Sequence, residues 1–510
     1  MGNRKTATRT GVFDAGAFER AFLAADYEQC RAIVAAAVPR TDAAALALSR
    51  VDLRDGHPVE VIERLSNLRP AGARDRVERD IWLGAAYGAT GDSDSAHRLL
   101  TRAITALEAP DDLYYAALFQ KAHVHWMDRE WRSLEALVQQ LIDAPHATHR
   151  GRGYVLRGWI LAGKRDDAHG QTREYLRALD EFESTANPDM RLRINTLLTL
   201  ASLARELGLE SVAQRVRTAY EAIHPASGMQ VQYFKLTRIL GWIDALSGNE
   251  LSAFRRFRQA ADLAPSDLWR VQCISDRATL ARATGERAFA LDQLYAAHDL
   301  ASRLSWSNAV EEDRITLLNL AELFGDVDGA LAQRYLAQFR SLRTPMDRRM
   351  GFSNDARVRG LEAYSSGTAL LRLGEAQAAR QMLEEAYGIF LKFDYGWRAA
   401  LAALGMHKAT QDARWLQAAR KAIEPWAASW IARELRDAQR AHSLSDEESM
   451  VTRAQRPILR LLLEGRRNAD IAREVGKSPN TVRNHIAEIF RTFDVSSRGE
   501  LIALLSRRAR

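Results

Sequence analysis

The chain has 510 residues, with 72 Lys and Arg against 65 Asp and Glu for a net charge of +7, and 47% of it is hydrophobic. That length suggests about three ordinary domains, and the apolar content suits a protein with a sizeable core. Two distant cysteines, Cys30 and Cys273, exclude a disulfide framework or zinc-ligand spacing and point to a reducing, cytoplasmic setting.

Residues 1–13 read as a flexible N-terminus. The stretch Met1 to Gly16 is polar and basic, unlike a secretory signal, and no later run of 18 apolar residues reads as a membrane span. Met1, Gly2 and Thr6 fit the short myristoylation pattern. Nothing else in the chain suggests a membrane, and no membrane partner is expected.

From Asp14 to about residue 442, amphipathic helical stretches alternate with short turns, and no run of alternating β-branched residues interrupts them. An all-α fold follows. Seven times a turn glycine is followed five residues later by alanine, at Gly91/Ala96, Gly163/Ala168, Gly208/Ala213, Gly248/Ala253, Gly285/Ala290, Gly325/Ala330 and Gly374/Ala379. Around Gly248 stand Leu240 and Gly241 before the turn, then Ala253, Phe257, Ala260 and Pro265; Gly91, Gly285 and Gly374 carry partial copies of that pattern. This resembles the tetratricopeptide (TPR) repeat, in which small residues such as Gly241 and Ala253 let two helices approach. From Gly163 onward the glycines lie 45, 40, 37, 40 and 49 residues apart, against about 34 in the family. The region, residues 14–442, is therefore TPR-like, with weaker copies expected around Gly56, Arg129 and Asp412.

Such a solenoid binds something and has no chemistry of its own. Trp82, Trp126, Trp131, Trp242 and Trp415 either line its groove or, more in keeping with large residues in helical repeats, pack between helices. Gly158 to Lys164 fits G-x-x-x-x-G-K, but Arg165 stands where a magnesium-holding Ser or Thr belongs, and the surrounding residues read as a helix. His123 and His125 fall on opposite sides of a helix and cannot jointly face one metal. No nucleophile and base come together. No catalytic residue, metal or cofactor is expected, and the chain is not read as an enzyme.

Residues 443–450, SLSDEESM, read as an acidic linker. Its acidic residues could rest on the basic tail that follows, and neutralising Asp446 and Glu447 would test it. That tail, residues 451–510, holds thirteen Lys and Arg against six Asp and Glu, so its own charge of +7 equals that of the whole chain and the upstream part balances at zero. Attraction to a polyanion would follow from such an excess. Charge alone is also what a solvated, soluble end carries.

The pattern of the tail says more. Thr452 and Gln455 form a capping box for a first helix with Ile458, Leu459, Leu462 and Leu463 that stops at Gly465. Pro457 should cost this helix one hydrogen bond. A second helix spans about 468–475 and turns at Gly476-Lys477. Ser478 caps a third, with Pro479 at its first position. On this third helix Val482, Ile486, Ile489, Phe490 and Phe493 make an apolar stripe, while Asn480, Arg483, Asn484, Ala487 and Arg491 make a face with two cations and two amides. Arg pairs with guanine and Asn with adenine at major-groove edges, so this face has the chemistry of base readout.

Val451-Thr452, Ile458-Leu459, Leu461-Leu462, Gly465, Asn468, Ile471-Ala472, Ser478, Thr481-Val482-Arg483, His485, Ile489, Val495 and Arg498 fall at the spacing of the LuxR/FixJ-type (GerE-like) helix-turn-helix, which this tail resembles over its full length. The resemblance implies a four-helix DNA-binding domain with the third helix in the major groove. It implies contacts to DNA from Lys477, Asn480, Thr481, Arg483, Asn484, Ala487, Arg491 and Arg498, and a structural role for His485. A fourth helix, about 497–508 with Leu501, Leu504 and Leu505, would be the dimerisation element. Ala454, Gln455, Pro457, Arg467, Lys477, Ala487, Glu488 and Thr492 depart from the family's usual residues, which bears on affinity and operator sequence. The architecture also resembles the C-terminal part of large maltose-activator-type regulators. Their nucleotide-switch domain has no counterpart legible here, nor has a phospho-acceptor receiver.

The expected function is therefore transcription regulation, with double-stranded DNA, RNA polymerase, a second copy of the chain and a protein, peptide or small effector in the solenoid groove as partners. The alternative is an interaction scaffold whose basic tail docks a protein.

Overall fold

The computed structural model describes residues 12–37, 41–307, 309, 311–325, 327–342 and 352–508. The myristoylation pattern at Gly2 lies outside them. Every extended element among the described residues is helical.

Helices pair into antiparallel hairpins from Ala15–Leu23 with Tyr27–Ala36 to Gly396–Thr410 with Arg414–Ile423. The turns share one conformation. Gly56, Gly91, Gly208, Gly248, Gly285 and Gly374 have φ between 71° and 88°, and Ala25, Arg129, Asp166 and Gln411 take the same left-handed region. At Gly91 the next N–H, of Asp92, reaches back to Tyr87 O at 2.9 Å, and Asn249 reaches Asp244 O at 2.8 Å. This is the bond that satisfies orphan carbonyls at a helix end.

Two expected turn glycines are not turns. Gly163 lies inside Ala147–Arg165, where Asp166 makes the turn instead, and Gly325 ends the helix Glu311–Gly325. The G-x-x-x-x-G-K match is likewise all helix: Gly158 lies against Tyr175, and Lys164 bonds Glu135 at 2.8 Å. It cradles no phosphate.

The side chain nearest Gly241 is Phe257 rather than Ala253. A Cβ there would come within 2.6 Å of the Phe257 ring, just as one on Gly367 would meet Leu383 at 2.7 Å. The glycine makes room for the large residue of the second helix, four positions past the alanine. The tryptophans are packing residues: Trp242, Trp306, Trp397, Trp415, Trp426 and Trp430 are buried, and the other five are half-buried.

The superhelix is wound tightly enough for its turns to touch. Arg54 makes a two-pronged pair with Asp189 at 2.8 and 2.6 Å, and Gly228 N–H donates to Ala25 O at 2.8 Å. Further along, Glu206 accepts from Trp397 at 3.0 Å and from Arg398 at 2.9 and 3.1 Å, and Arg433 pairs with Glu250. One hydrophobic cluster consequently runs from Phe18 through Leu200 and Trp242 to Leu435. The helix Trp430–Ser449 closes the repeats and continues through most of the expected linker, so residues 443–449 are helical rather than irregular.

Candidate nucleic-acid interface

The tail folds on a core of its own, built from Ile458, Leu459, Leu462, Ile471, Val482, Ile486, Ile489, Phe493, Leu501 and Leu505. Its helices are Arg456–Leu463, Asn468–Glu474, Pro479–Thr492 and Arg498–Arg508. Gly465 and Gly476 turn with φ of 80° and 64°. The capping box forms on one side, with Thr452 N–H donating to Gln455 Oε1 at 2.9 Å. Pro457 costs nothing here: the helix starts at Arg456, so the proline sits in the first turn, where its missing N–H had no partner to lose.

Ser478 caps the third helix, its hydroxyl accepting from Thr481 N–H at 3.1 Å, and Pro479 holds the first position. The helix has 14 residues, about 21 Å at 1.5 Å per residue. Its apolar stripe is turned into the core, leaving Asn480, Arg483, Asn484, Ala487 and Arg491 exposed together. Among the described residues neither Arg483 nor Arg491 has a hydrogen-bond or ion-pair partner. Two unneutralised guanidiniums and two amides on a solvated helix face are free to meet phosphates and base edges.

The other three expected contact residues are placed differently. The Thr481 hydroxyl lies 2.8 Å from that of Ser478, within the cap. Lys477 is half-buried with Nζ 3.4 Å from His485 Nε2, and Arg498 is half-buried and donates to Asn468 Oδ1 at 3.1 Å, tying the fourth helix to the second. On the fourth helix Leu501 and Leu505 enter the domain core and Leu504 is half-buried, so its leucines serve this domain first.

Sequence reasoning did not find the link between Gln455 and Glu488, whose side chains meet at 2.6 Å across 33 residues. It holds the one carboxylate of the third helix to the first helix, and no local pattern signals such a pair. The expected contact between the acidic segment and the tail is made by Glu448. Glu447 is buried and accepts from Ser443 at 3.0 Å, while the Asp446 side chain lies outside the described residues; Glu448 meets the tail through Arg460 Nε and Nη2, with Arg456 donating to its carbonyl at 3.0 Å. The bond from Arg460 holds the Glu448 carboxyl below its usual range.

Away from the tail, His123 stacks on Trp126 at 5.7 Å, whereas His125 meets His97 of the preceding hairpin with ring centres 4.4 Å apart. His97, His125 and Glu130 bring ligand-type atoms within 4.8 Å of one another, a grouping the helical spacing of His123 and His125 does not foreshadow. Each histidine already has a carboxylate: His125 lies 2.6 Å from Glu130 and His97 3.3 Å from Asp128.

An exposed, cationic third helix on a compact four-helix core, carried by TPR-like hairpins, defines the tail as a LuxR-type helix-turn-helix domain. Residues 449–505 match the GerE family, described as bacterial regulatory proteins, luxR family. Similar full-length proteins include HTH-type transcriptional regulators of Mycobacterium bovis and Mycobacterium tuberculosis, each 25% identical over 292 residues, which is 57% of this chain and 28% of the relative. The match thus spans under a third of those regulators. Among solved structures, a Rap protein complexed with competence and sporulation factor aligns over 69% of this chain and 99% of its own at 11% identity and a TM-score of 0.42. The TPR domain of P58(IPK) aligns over 71% and 97% at 14% identity and a TM-score of 0.19.

Proposed function

We propose that this protein is a cytoplasmic transcription regulator that binds double-stranded DNA through residues 451–510, with the third helix in the major groove. The observation that carries this reading is the solvated face on which Asn480, Arg483, Asn484 and Arg491 stand together, both cations unpaired among the described residues. Arg483 and Asn484 read base edges, Arg491 meets phosphate, and Lys477, Thr481, Ala487 and Arg498 flank the contact. The chain binds as a homodimer on two half-sites; Ile502, half-buried on the fourth helix and outside the domain core, offers apolar surface to a second copy. The TPR-like region, residues 14–442, senses an effector, and the bound protein engages RNA polymerase.

The competing scaffold reading has the basic tail docking a protein. Binding to genomic duplex fragments at several salt concentrations separates the two. DNA binding should weaken by about 0.9 log unit per log unit of salt for each phosphate contacted. Absent or salt-insensitive binding would reject the regulator.

A further inference from the structure

Two successive hairpins of the repeats meet through histidines. His97 lies on Ser93–Thr105, the second helix of one hairpin, and His125 lies in the last turn of Asp112–Met127, the first helix of the next. The left-handed turn at Arg129, with φ of 60°, doubles the chain back before the helix Trp131–Ile142. Glu130 N–H thereby reaches His125 O at 2.9 Å, and the Glu130 carboxylate returns to the His125 ring, Oε2 lying 2.6 Å from Nδ1. The His97 ring arrives from the other hairpin with its centre 4.4 Å from that of His125.

Two imidazoles and a carboxylate are the donors that late first-row divalent ions take, whereas magnesium and calcium ask for oxygen alone. His97, His125 and Glu130 each offer one ligand atom, all within 4.8 Å of one another. A tetrahedral ion with bonds of about 2.0–2.1 Å holds its ligand atoms about 3.3 Å apart. No gap here therefore has to close by more than about 1.5 Å. Glu130 is exposed and His97 half-buried, so both side chains can turn that far, while buried His125 is the fixed point.

The surroundings suit a cation as well. Asp128 Oδ1 accepts from Ser93 at 2.8 Å, and its Oδ2 lies 3.3 Å from His97 Nε2. A carboxylate behind a histidine in this way orients the ring for a metal. Glu130 and Asp128 together match the two charges of a divalent ion. Lys121, the cation whose charge reaches His125, is itself held by Thr101 at 2.9 Å.

We propose that His97, His125 and Glu130 bind one divalent ion of the zinc class, with Asp128 positioning His97, and that the ion staples the two hairpins together. This goes beyond the DNA-binding reading and does not rest on it.

Calorimetric titration of the untagged full chain with zinc, in a buffer that does not chelate it, tests the site. One ion per chain should bind with a Kd below about 100 µM, and no binding in that range would overturn the site. Affinity should fall about tenfold or more in His97→Ala and in Glu130→Gln, both at positions outside the core. The remaining histidines of the chain are intact in these variants. A smaller loss in either folded variant would mark an adventitious ion only and overturn the assignment. Magnesium in tenfold excess should not displace zinc, and displacement would overturn the donor argument. Zinc should also raise the melting temperature of the wild type and leave that of His97→Ala unchanged; no rise, or an equal rise in both, would overturn the staple.

Discussion

Arginine does opposite work in the two parts of the molecule. In the repeats Arg54, Arg205, Arg238 and Arg398 are held by Asp189, Glu206 and Asp276, carboxylates that are themselves buried. On the third helix of the tail Arg483 and Arg491 are exposed and unpaired among the described residues. A paired guanidinium fixes distant segments to each other and has no charge left over; an unpaired one adds nothing to the fold and keeps its full field for a ligand. The zero net charge of the repeats and the +7 of the tail are the sequence-level trace of that division.

If the division is real, removing a carboxylate should hurt the repeats most. Glu206→Ala leaves Arg205 and Arg398 buried together without a counter-charge and should cost about 3–5 kcal/mol of stability in a denaturant titration. Next in size is a pH effect in the repeats. Burial, with Arg152 adding to it, pulls His149 to about 4 in the fold, against about 6.5 unfolded. The fold favours the neutral ring, so this contribution of about 3 kcal/mol is full above pH ~6.5 and is lost as pH falls towards ~4. His149→Gln should flatten the dependence of melting temperature on pH over that window.

On the other side of the comparison, Arg483→Ala should weaken specific duplex binding by about 1–3 kcal/mol while stability stays within about 0.5 kcal/mol; a fall in melting temperature would show the residue to be structural. Ser478→Ala should cost about 1 kcal/mol of stability through the lost cap. Arg491→Ala should lower the salt slope of binding by about one contact and change sequence preference little.

The tail was legible almost to the residue because its signals are local. Gly465, Gly476, Ser478 and Pro479 stand where backbone geometry demands them, and the apolar stripe repeats within one helix. Pro457 was misjudged only because the first helix begins at Arg456, past the capping box. In the repeats, glycines marked the turns where φ is positive, yet Asp166 and Arg129 turn without glycine, and Gly163 is a helix residue. Small residues told that two helices approach without telling which side chain enters the gap, hence Phe257 rather than Ala253 over Gly241. Pairs such as Glu206 with Arg398, 192 residues apart, have no periodicity to announce them. The contact between turns of the superhelix was invisible for that reason.

Contact between successive turns of the superhelix also alters what kind of polymer the repeats form. An open solenoid is a one-dimensional stack in which each unit meets only its neighbours and units can be added or removed. Here the first hairpin touches residue 228, and residue 206 touches residue 398. Deleting one hairpin would put every later contact out of phase with the turn beneath it. The number of repeats is thereby fixed, and the array should melt as one cooperative body instead of fraying from its ends.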